Sequence, residues 1–239
     1  MTPRRPRSHA ADPDVAATAA LIGDPVRAAM LLALLDGAAL AATELAYRGG
    51  ASPQAASAHL RKLVDGRLLT VAASGRQRRY RLAGRDVAQA IEALLSVAPP
   101  RRIVALTQSF AMERLRAART CYDHLAGRLG VAVTDGLVRR GAIRPANGEF
   151  HVTARGEGVF DGLGIDVVEL RHARRAFARA CTDWTERRPH LAGSLGKALL
   201  DCFVANAWLI RAPADRSVRL TARGQRALVR FFGVDFGPI

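Results

Sequence analysis

The sequence predicts a mainly α-helical protein of the α+β class, in which small β-hairpins stand between helices. Apolar residues recur at helical spacing, and two of these runs begin with a capping residue followed by proline, at Asp24-Pro25 and Ser52-Pro53. Two short strand-like runs flank a turn at residues 73–77. Similar residues recur in the same order in residues 121–166 and 181–235, which indicates a duplicated unit.

The first half contains the clearest helix and strand signals. Asp12 or Asp14 can cap a first helix, Gly37 ends the second helix, and Asp86 can cap the last one. The expected elements are helices over about 13–22, 25–36, 43–46 and 53–64, strands at 68–71 and 80–82, and a helix from residue 86. This order is typical of a winged helix-turn-helix, in which the hairpin forms the wing.

Residues 13–97 resemble the ArsR/SmtB family of bacterial regulators. The matching segments are Gly23-Asp24-Pro25-Val26-Arg27, Thr43-Glu44-Leu45-Ala46, Ser52 to Leu63, Gly66-Arg67-Leu68-Leu69 and Gly75 to Leu82. The resemblance implies DNA binding by a homodimer that is built from the first helix and the helix after the wing. Apolar residues on that last helix agree with this, although packing within the chain could equally cover them: Val87, Ile91, Leu94 and Leu95.

The helix from Pro53 to Val64 has the two faces that a DNA-reading helix needs. One face is an apolar stripe of Ala56, Leu60, Leu63 and Val64, and the other is small or polar. Small and polar side chains let a helix enter the major groove, where glutamine can pair with adenine and alanine can contact a thymine methyl. The candidate DNA contacts are Ser52, Gln54, Ala55, Ser57, Ala58, His59, Arg61, Lys62, Arg76, Arg78 and Arg79.

Strand alternation divides the wing into two faces. Arg79 and Arg81 share one face, and Tyr80 and Leu82 share the other, so the arginines cannot all point at DNA. Arg61 and Lys62 on the helix are expected at phosphates, and we expect Arg76 and Arg78 near the wing tip to contact the backbone or the minor groove.

The metal positions of the resembled family are empty in the first half. Residues 40–45 contain no cysteine and residues 86–92 contain no histidine, although these are the ligands that soft and borderline metals require. We therefore expect no metal sensing by this half and no cofactor.

The second half, residues 105–239, is expected to hold two degenerate winged-helix-like repeats around a pseudo-twofold axis, each a helix, a hairpin and a helix. Paired glycines in each copy, such as Gly127 and Gly130, would allow close backbone approach between the copies. Cys121 and His124 are placed on one helical face. Arg187 or Arg188 is expected to pair with Asp123 or Asp183, or to hold an anionic ligand.

Six residues of this half are candidates for receiving a signal: Cys121, Asp123, His124, Cys181, Asp183 and His190. A metal site formed by the cysteines and histidines, a thiol switch and a ligand pocket all stay open, and packing at a helix seam is the favoured interpretation. Cys121 precedes its histidine by three residues and Cys181 by nine, which counts against a symmetric metal site.

Bulk properties narrow the class of protein. The chain of 239 residues has 36 basic and 21 acidic residues, and a net charge of +15 favours a polyanionic partner. No apolar run is long enough to span a bilayer, no signal peptide is evident, and three cysteines do not form a disulfide framework. We expect a cytoplasmic protein with no membrane partner, a disordered basic tail at residues 1–12 and a linker at residues 98–104.

Together these patterns predict a sequence-specific DNA-binding transcriptional regulator that acts as a homodimeric repressor, with residues 13–97 reading double-stranded DNA. Residues 105–239 would support the dimer and receive a small-molecule or redox effector. A non-specific basic nucleic-acid-binding or protein-interaction module without an effector response is the alternative. An enzyme is not expected, because the sequence contains no glycine-rich phosphate loop and no nucleophile elbow.

Overall fold

The computed structural model describes residues 13–74, 77–99, 106–213 and 215–237. The chain divides into two compact units, Met1–Leu32 with Ala39–Ala83, and Ala33–Ala38 with Gly84–Ile239. The predicted tail, Arg76 and most of the predicted linker lie outside the described residues.

The first unit is a winged helix-turn-helix. Its elements are α1 (Val15–Ile22), α2 (Pro25–Ala33, whose last residue groups with the second unit), β1 (Leu40–Ala41), α3 (Ala42–Gly49), α4 (Pro53–Asp65), β2 (Leu69–Ser74) and β3 (Gln77–Leu82). The strands form an antiparallel sheet in the order β1-β3-β2, with Tyr80 opposite both Leu40 and Val71. The mainly helical class with small hairpins is confirmed, and both strands of the wing are longer than predicted.

Side-chain caps fix the helix starts of this unit. The Asp14 carboxylate accepts a hydrogen bond from the Ala17 N–H at 2.9 Å, and the Ser52 hydroxyl accepts one from the Ala55 N–H at 3.3 Å. The guanidinium of buried Arg27 donates to the carbonyl oxygens of Ala20 and Leu21 at the end of α1. The turn between α1 and α2 is therefore held by hydrogen bonds to backbone groups that would otherwise lack partners.

Two details of the predicted helices are wrong. The helix from Pro25 ends at Ala33, before Gly37, which adopts a positive φ of 77° in the following turn. The helix after the wing, α5 (Arg85–Val97), has Gly84 at its N-cap position, and Asp86 lies in its first turn. Its carboxylate there still favours the helix N-terminus through its charge.

The helix α5 belongs to the second unit, and fourteen further elements follow it. They are α6 (Leu106–Ala117), β4 (Arg119–Cys121), β5 (His124–Ala126), α7 (Gly127–Arg139), β6 (Ile143–Ala146), β7 (Glu149–Val152), α8 (Ala154–Asp161), α9 (Val167–Arg171), β8 (Arg179–Thr182), β9 (Pro189–Ala192), α10 (Gly193–Ala205), β10 (Leu209–Arg211), β11 (Val218–Leu220) and α11 (Ala222–Phe232). A large apolar core joins most of the elements from β5 to α11, and its fully buried members include Leu129, Phe160, Leu195, Phe203 and Phe232.

The order hairpin, helix, hairpin, helix occurs twice in this unit. It runs from β4 to α8 and again from β8 to α11, with α9 between the two runs. The prediction of helix, hairpin, helix missed the first hairpin of each run, and the prediction that Cys121 and His124 lie on a helix is wrong. They lie on β4 and β5, which are only three residues long and joined by a tight turn. Strands of that length are too short for sequence alternation to reveal.

The glycines of α7 and α10 allow close packing within each run. A Cβ atom on Gly130 would lie 2.6 Å from the carbonyl oxygen of Leu125 in β5, and one on Gly196 would lie 2.4 Å from that of Leu191 in β9. Each helix therefore presses against the strand that precedes it, and a Cβ on Gly196 would also lie 3.3 Å from the Cβ of His124, so α10 approaches the other run as predicted. This close packing fixes the positions of the residues in β5 and β9 relative to α7 and α10.

Among the described residues, no single helix is long and apolar enough to cross a membrane. The pair α1 and α2 passes that test by length and composition when taken together, but it is bent by 84°.

Candidate functional site

The helix α4 presents the polar face that the sequence predicts. Ala56, Leu60 and Leu63 are buried, and Val64 is half-buried at the edge of the stripe. The opposite face is open to solvent and carries Ser52, Gln54, Ala55, Ser57, Ala58, Arg61 and Lys62. A face with amide, hydroxyl, methyl and cationic groups offers the side-chain chemistry that reads base edges and phosphates in the major groove.

His59 differs from the other predicted contacts on α4. Its side chain is half-buried, and its Nδ1 atom lies 3.6 Å from the Asp24 carboxylate. The pKa of that carboxyl is lowered, first by the hydrogen bond from the Arg27 N–H and further by the charges of Arg27 and His59. The imidazole is therefore oriented by the start of α2.

The arginines of the wing are exposed on both faces of β3. Tyr80 and Leu82 are buried, whereas Arg78, Arg79 and Arg81 are exposed. The guanidinium of Arg79 donates to the carbonyl oxygen of Ala39 at 3.1 Å, which ties it to its own unit. Arg78 is thus the more available of the two predicted wing contacts that the structure describes.

A second cluster of polar side chains lies inside the second unit. Cys121 stands opposite His124 across β4 and β5, and Cys181 stands opposite His190 across β8 and β9. All four side chains are buried, and one ligand atom from each lies within 4.8 Å of the others. The two sulfur atoms are 3.9 Å apart, and the two histidine Nε2 atoms are 3.1 Å apart.

The structure removes the objection that the two cysteine–histidine spacings differ. Both pairs are cross-strand neighbours, and the spacings differ only because the turn of the second hairpin is longer. The small side chains of Ala126 and Ala192 pack against the two cysteines. The four side chains therefore form a near-symmetric arrangement that linear spacing conceals, which we call the Cys/His cluster.

Each histidine of the Cys/His cluster turns its other ring nitrogen toward an aspartate. The Nδ1 atom of His124 lies 3.4 Å from the Asp123 carboxylate, and that of His190 lies 3.9 Å from the Asp183 carboxylate. All six predicted signal residues are thus brought together, as two cysteines, two histidines and two carboxylates.

The partners of the two aspartates differ from the predicted ones. Asp183 pairs with Arg119 at 2.8 Å, and Asp123 pairs with Arg85 and Arg175, each at 2.9 Å. The prediction of Arg187 or Arg188 is wrong, because Arg188 pairs with Asp135 instead and Arg187 bends the turn between β8 and β9, where its φ is 55°. Sequence reasoning missed Arg119, Arg85 and Arg175, and no local pattern marks them, because each reaches its aspartate from a distant element.

The pair Arg119–Asp183 is the most buried ionic contact of the unit, with both side chains fully excluded from solvent. The Asp183 carboxylate also accepts the Gly127 N–H at 2.7 Å, and Arg119 stacks on Trp184 with its guanidinium carbon 4.7 Å from the ring centre. Burial opposes ionisation of Asp183, but Arg119, Thr185 and Gly127 outweigh it and hold the pKa of the carboxyl well below its usual value.

Asp123 and His124 form a second close pair at the edge of the Cys/His cluster, with the carboxylate 3.4 Å from Nδ1. Burial opposes ionisation of Asp123, but hydrogen bonds with His124 and Arg175 and the charges of Arg175 and Arg85 lower its pKa well below the usual value. Burial also disfavours the charged form of His124 and by itself would lower its pKa. The contacts with Asp123 and Cys181 outweigh burial and raise the pKa of His124.

The two thiols of the cluster are not equivalent. Hydrogen bonding to Cys181, together with burial, raises the pKa of Cys121. The same hydrogen bond lowers the pKa of Cys181 against the effect of burial, and hydrogen bonds with His124 and His190 lower it further. The histidine side of the cluster therefore favours a thiolate at Cys181, the form that binds metals and attacks electrophiles.

Comparison with known proteins agrees with the fold of the first unit. Residues 22–72 match a helix-turn-helix domain family. The HTH-type transcriptional regulator YdfF of Bacillus subtilis (strain 168) is 43% identical over 223 residues, which cover 93% of this chain and 99% of that protein. The alignment therefore includes both units.

Two solved structures resemble part of the chain. A homodimeric winged helix-turn-helix domain of Mycobacterium bovis, described as a possible ArsR-family regulator, is 29% identical, covering 48% of this chain and 94% of its own with a TM-score of 0.32. The cadmium sensor CMTR of Mycobacterium tuberculosis is 31% identical. The match covers 38% of this chain and 99% of that sensor, with a TM-score of 0.31. With TM-scores this low, neither likeness informs the second unit.

A winged helix-turn-helix with an exposed polar helix and a basic hairpin defines a class of DNA-binding module. The chain belongs to the HTH-type transcriptional regulators, as the match along nearly its whole length to YdfF shows.

Proposed function

We propose that this regulator reads a specific inverted-repeat DNA site as a homodimer, represses transcription there, and receives its controlling signal in the second unit. The observation that carries the proposal is the exposed face of α4, where Gln54 and Ala55 lie in the first turn after the N-cap and Arg61 and Lys62 lie two turns further along. This order suits a helix that enters the groove by its N-terminal end and contacts phosphates beyond it.

Exposed apolar surface supports the homodimer. No residue of α1 is buried, and Val15 is 73% exposed. On α5, Leu94 is 45% and Val97 is 79% exposed, so the apolar stripe predicted for this helix is covered only in part. Apolar helices that stay open to water in one chain are typical of surfaces that a second copy covers.

Replacing Gln54 with alanine tests sequence reading. If its amide makes a bidentate contact with a base, Gln54→Ala weakens binding to the preferred site by ~1–3 kcal/mol and leaves binding to scrambled DNA unchanged. The preferred site is first selected from random duplexes with the wild-type chain, and affinities are then measured by fluorescence anisotropy.

Arg78→Ala is the matched control for this test. Because Arg78 is expected at phosphates, its loss weakens binding to all sequences alike and reduces the salt slope by about 1. Equal affinity of the wild type for selected and scrambled DNA would contradict specific recognition and favour a non-specific basic module.

The Cys/His cluster supports the second unit as the place of signal input. It gathers two thiols and two imidazoles at one buried place, with an aspartate beside each histidine, which is chemistry that a metal ion or an oxidant could change. We expect the affinity for the selected DNA to differ between reduced protein, peroxide-treated protein and protein with added zinc, and an unchanged affinity in all three states would contradict input at this place.

A further inference from the structure

The sulfur–sulfur and nitrogen–nitrogen distances of the Cys/His cluster match those of a tetrahedral metal site, and all four ligand atoms lie within 4.8 Å of one another. Zinc binds thiolate sulfur at about 2.3 Å and imidazole nitrogen at about 2.0–2.1 Å, which places two sulfurs roughly 3.8 Å apart and two nitrogens roughly 3.3 Å apart in a tetrahedron. The sulfurs of Cys121 and Cys181 are 3.9 Å apart, and the Nε2 atoms of His124 and His190 are 3.1 Å apart. Both distances lie within a few tenths of an ångström of the tetrahedral values.

The histidine orientation also fits a cation between the two rings, either one proton on an Nε2 atom or a metal ion. If both rings are neutral and each Nδ1 carries the hydrogen that faces its aspartate, the two Nε2 atoms present lone pairs to one another at 3.1 Å in a buried space. If instead the hydrogen of His190 moves to Nε2, its Nδ1 becomes a buried acceptor with no hydrogen-bond partner, facing a carboxylate. A metal ion accepts both Nε2 lone pairs and leaves both Nδ1 hydrogens directed at the aspartates.

The aspartates supply the outer contacts that metal-binding histidines usually have. A carboxylate beside Nδ1 fixes the tautomer and the ring orientation and makes Nε2 a better donor. Asp123 and Asp183 are themselves held by arginines, Arg85 and Arg175 on one side and Arg119 on the other. These two carboxylates would thus position the ligands without binding the ion.

We propose that Cys121, His124, Cys181 and His190 bind one zinc-class ion that joins the β4–β5 hairpin to the β8–β9 hairpin. On binding, the two thiols release their protons to solvent, and two thiolates balance the charge of the divalent ion. All four positions are filled by buried protein ligands, so the site is of the closed kind, structural or regulatory, and not catalytic. This proposal concerns the second unit and does not depend on DNA recognition by the first.

Cobalt substitution in the full-length chain tests the proposal. The reduced protein is freed of metal with a chelator and titrated with Co²⁺ without oxygen. We expect one equivalent to bind, with a thiolate-to-cobalt charge-transfer band in the near ultraviolet and the intense visible bands of tetrahedral cobalt. One equivalent of Zn²⁺ should abolish these bands, since zinc binds such ligands more tightly than cobalt does.

Alkylation of the wild-type chain provides a readout that needs no variant. Zinc should protect Cys121 and Cys181, but not Cys202, from a thiol reagent, as located by mass spectrometry of the peptides. Cys202 serves as an internal control because it lies on α10 outside the Cys/His cluster, with its sulfur directed at the Leu163 carbonyl oxygen.

Matched variants assign the ligands. Cys121→Ser and His190→Gln should remove the tetrahedral bands, whereas Cys202→Ser and His172→Gln should keep them, since His172 is an exposed residue at the end of α9. Asp123→Asn should keep the bands but weaken cobalt binding by about 10–100-fold, as expected of a positioning residue.

Three results would overturn the proposal. They are no uptake of Co²⁺ or Zn²⁺ by the reduced wild-type chain, an octahedral cobalt spectrum only, or equal alkylation of all three cysteines with and without zinc. A Cys121–Cys181 disulfide in the isolated protein, combined with no metal uptake after reduction, would assign the cluster to thiol chemistry instead. DNA binding enters none of these measurements, so loss of specific DNA recognition would leave them unaffected.

Discussion

The hairpin of the first unit and the two leading hairpins of the second unit direct their polar side chains differently. In the wing, β2 and β3 bury Tyr80 and Leu82 and expose a row of arginines. In the second unit, β4 with β5 and β8 with β9 bury cysteine and histidine and place them side by side. The same local structure thus exposes its polar side chains in one unit and buries them in the other.

The difference lies in the cost of burial. An exposed arginine keeps its hydration and is free to meet a phosphate, so the wing loses little stability by carrying several of them. A buried polar group must find its partners within the protein or bind an ion, because an unpaired one is costly. The Cys/His cluster and the ionic pairs around it are therefore expected to contribute strongly to the stability of the second unit.

The largest effect is expected when the most buried ion pair is broken. Arg119→Met leaves Asp183 buried without its main cation and should destabilise the second unit by ~3–5 kcal/mol. Both tryptophans, Trp184 and Trp208, lie in this unit, so tryptophan fluorescence during urea unfolding follows it alone.

Arg128→Met is the control for the buried pair. Arg128 pairs with Glu113 at 2.7 Å, but both side chains are about half exposed, so its loss should change stability by less than about 1 kcal/mol. If Arg119→Met costs no more than this control, burial does not distinguish the two pairs and the comparison fails.

A smaller effect is expected where α7 presses against β5. A Cβ on Gly130 would lie 2.6 Å from the Leu125 carbonyl oxygen, and a backbone atom cannot move aside as a side chain can. Gly130→Ala should therefore destabilise the second unit by ~1–3 kcal/mol despite the better helix propensity of alanine.

Gly158→Ala in α8 is the matched change with open space around it. There alanine should stabilise the helix by up to ~1 kcal/mol, because only propensity changes. Opposite signs in the same unfolding experiment would show that backbone contact, and not helix propensity, decides the cost at Gly130. Two equal values would contradict that explanation.

The smallest effect on folding is expected in the wing. Arg78 is exposed on β3, so Arg78→Ala should change the stability of the first unit by no more than about 0.5 kcal/mol, even though it weakens DNA binding. The change in stability is measured from the loss of helical circular dichroism during urea unfolding. A loss of stability comparable to that of Arg119→Met would mean that the wing arginine has a structural partner.

Most of the first unit could be predicted because its signals are local. Asp14 and Ser52 cap the helices as expected, and the spacing of Ala56, Leu60 and Leu63 placed the buried stripe of α4 correctly. The second unit was predicted less well. Strands of three residues such as β4 and β5 carry too few side chains to show alternation, so Cys121 and His124 were assigned to a helix.

The two candidate sites also differ in how well the sequence predicts them. The residues of the DNA-reading face follow one another along α4, and helix geometry alone puts them on one side. The sequence also singled out Cys121, His124, Cys181 and His190, but it could not decide that they meet. The unequal cysteine–histidine spacings even argued against a symmetric site. They differ because the two turns differ in length, although each cysteine faces its own histidine across a pair of strands.

The sequence by itself determined the class of protein, the capped starts of α2 and α4 and the polar face of α4, since caps and 3.6-residue periodicity act over a few residues. Only the tertiary structure decided that two sulfurs stand 3.9 Å apart and that Arg119 meets Asp183. Those contacts join residues about sixty positions apart, and their distances depend on how the core packs α7 and α10 against the strands, which no local pattern specifies.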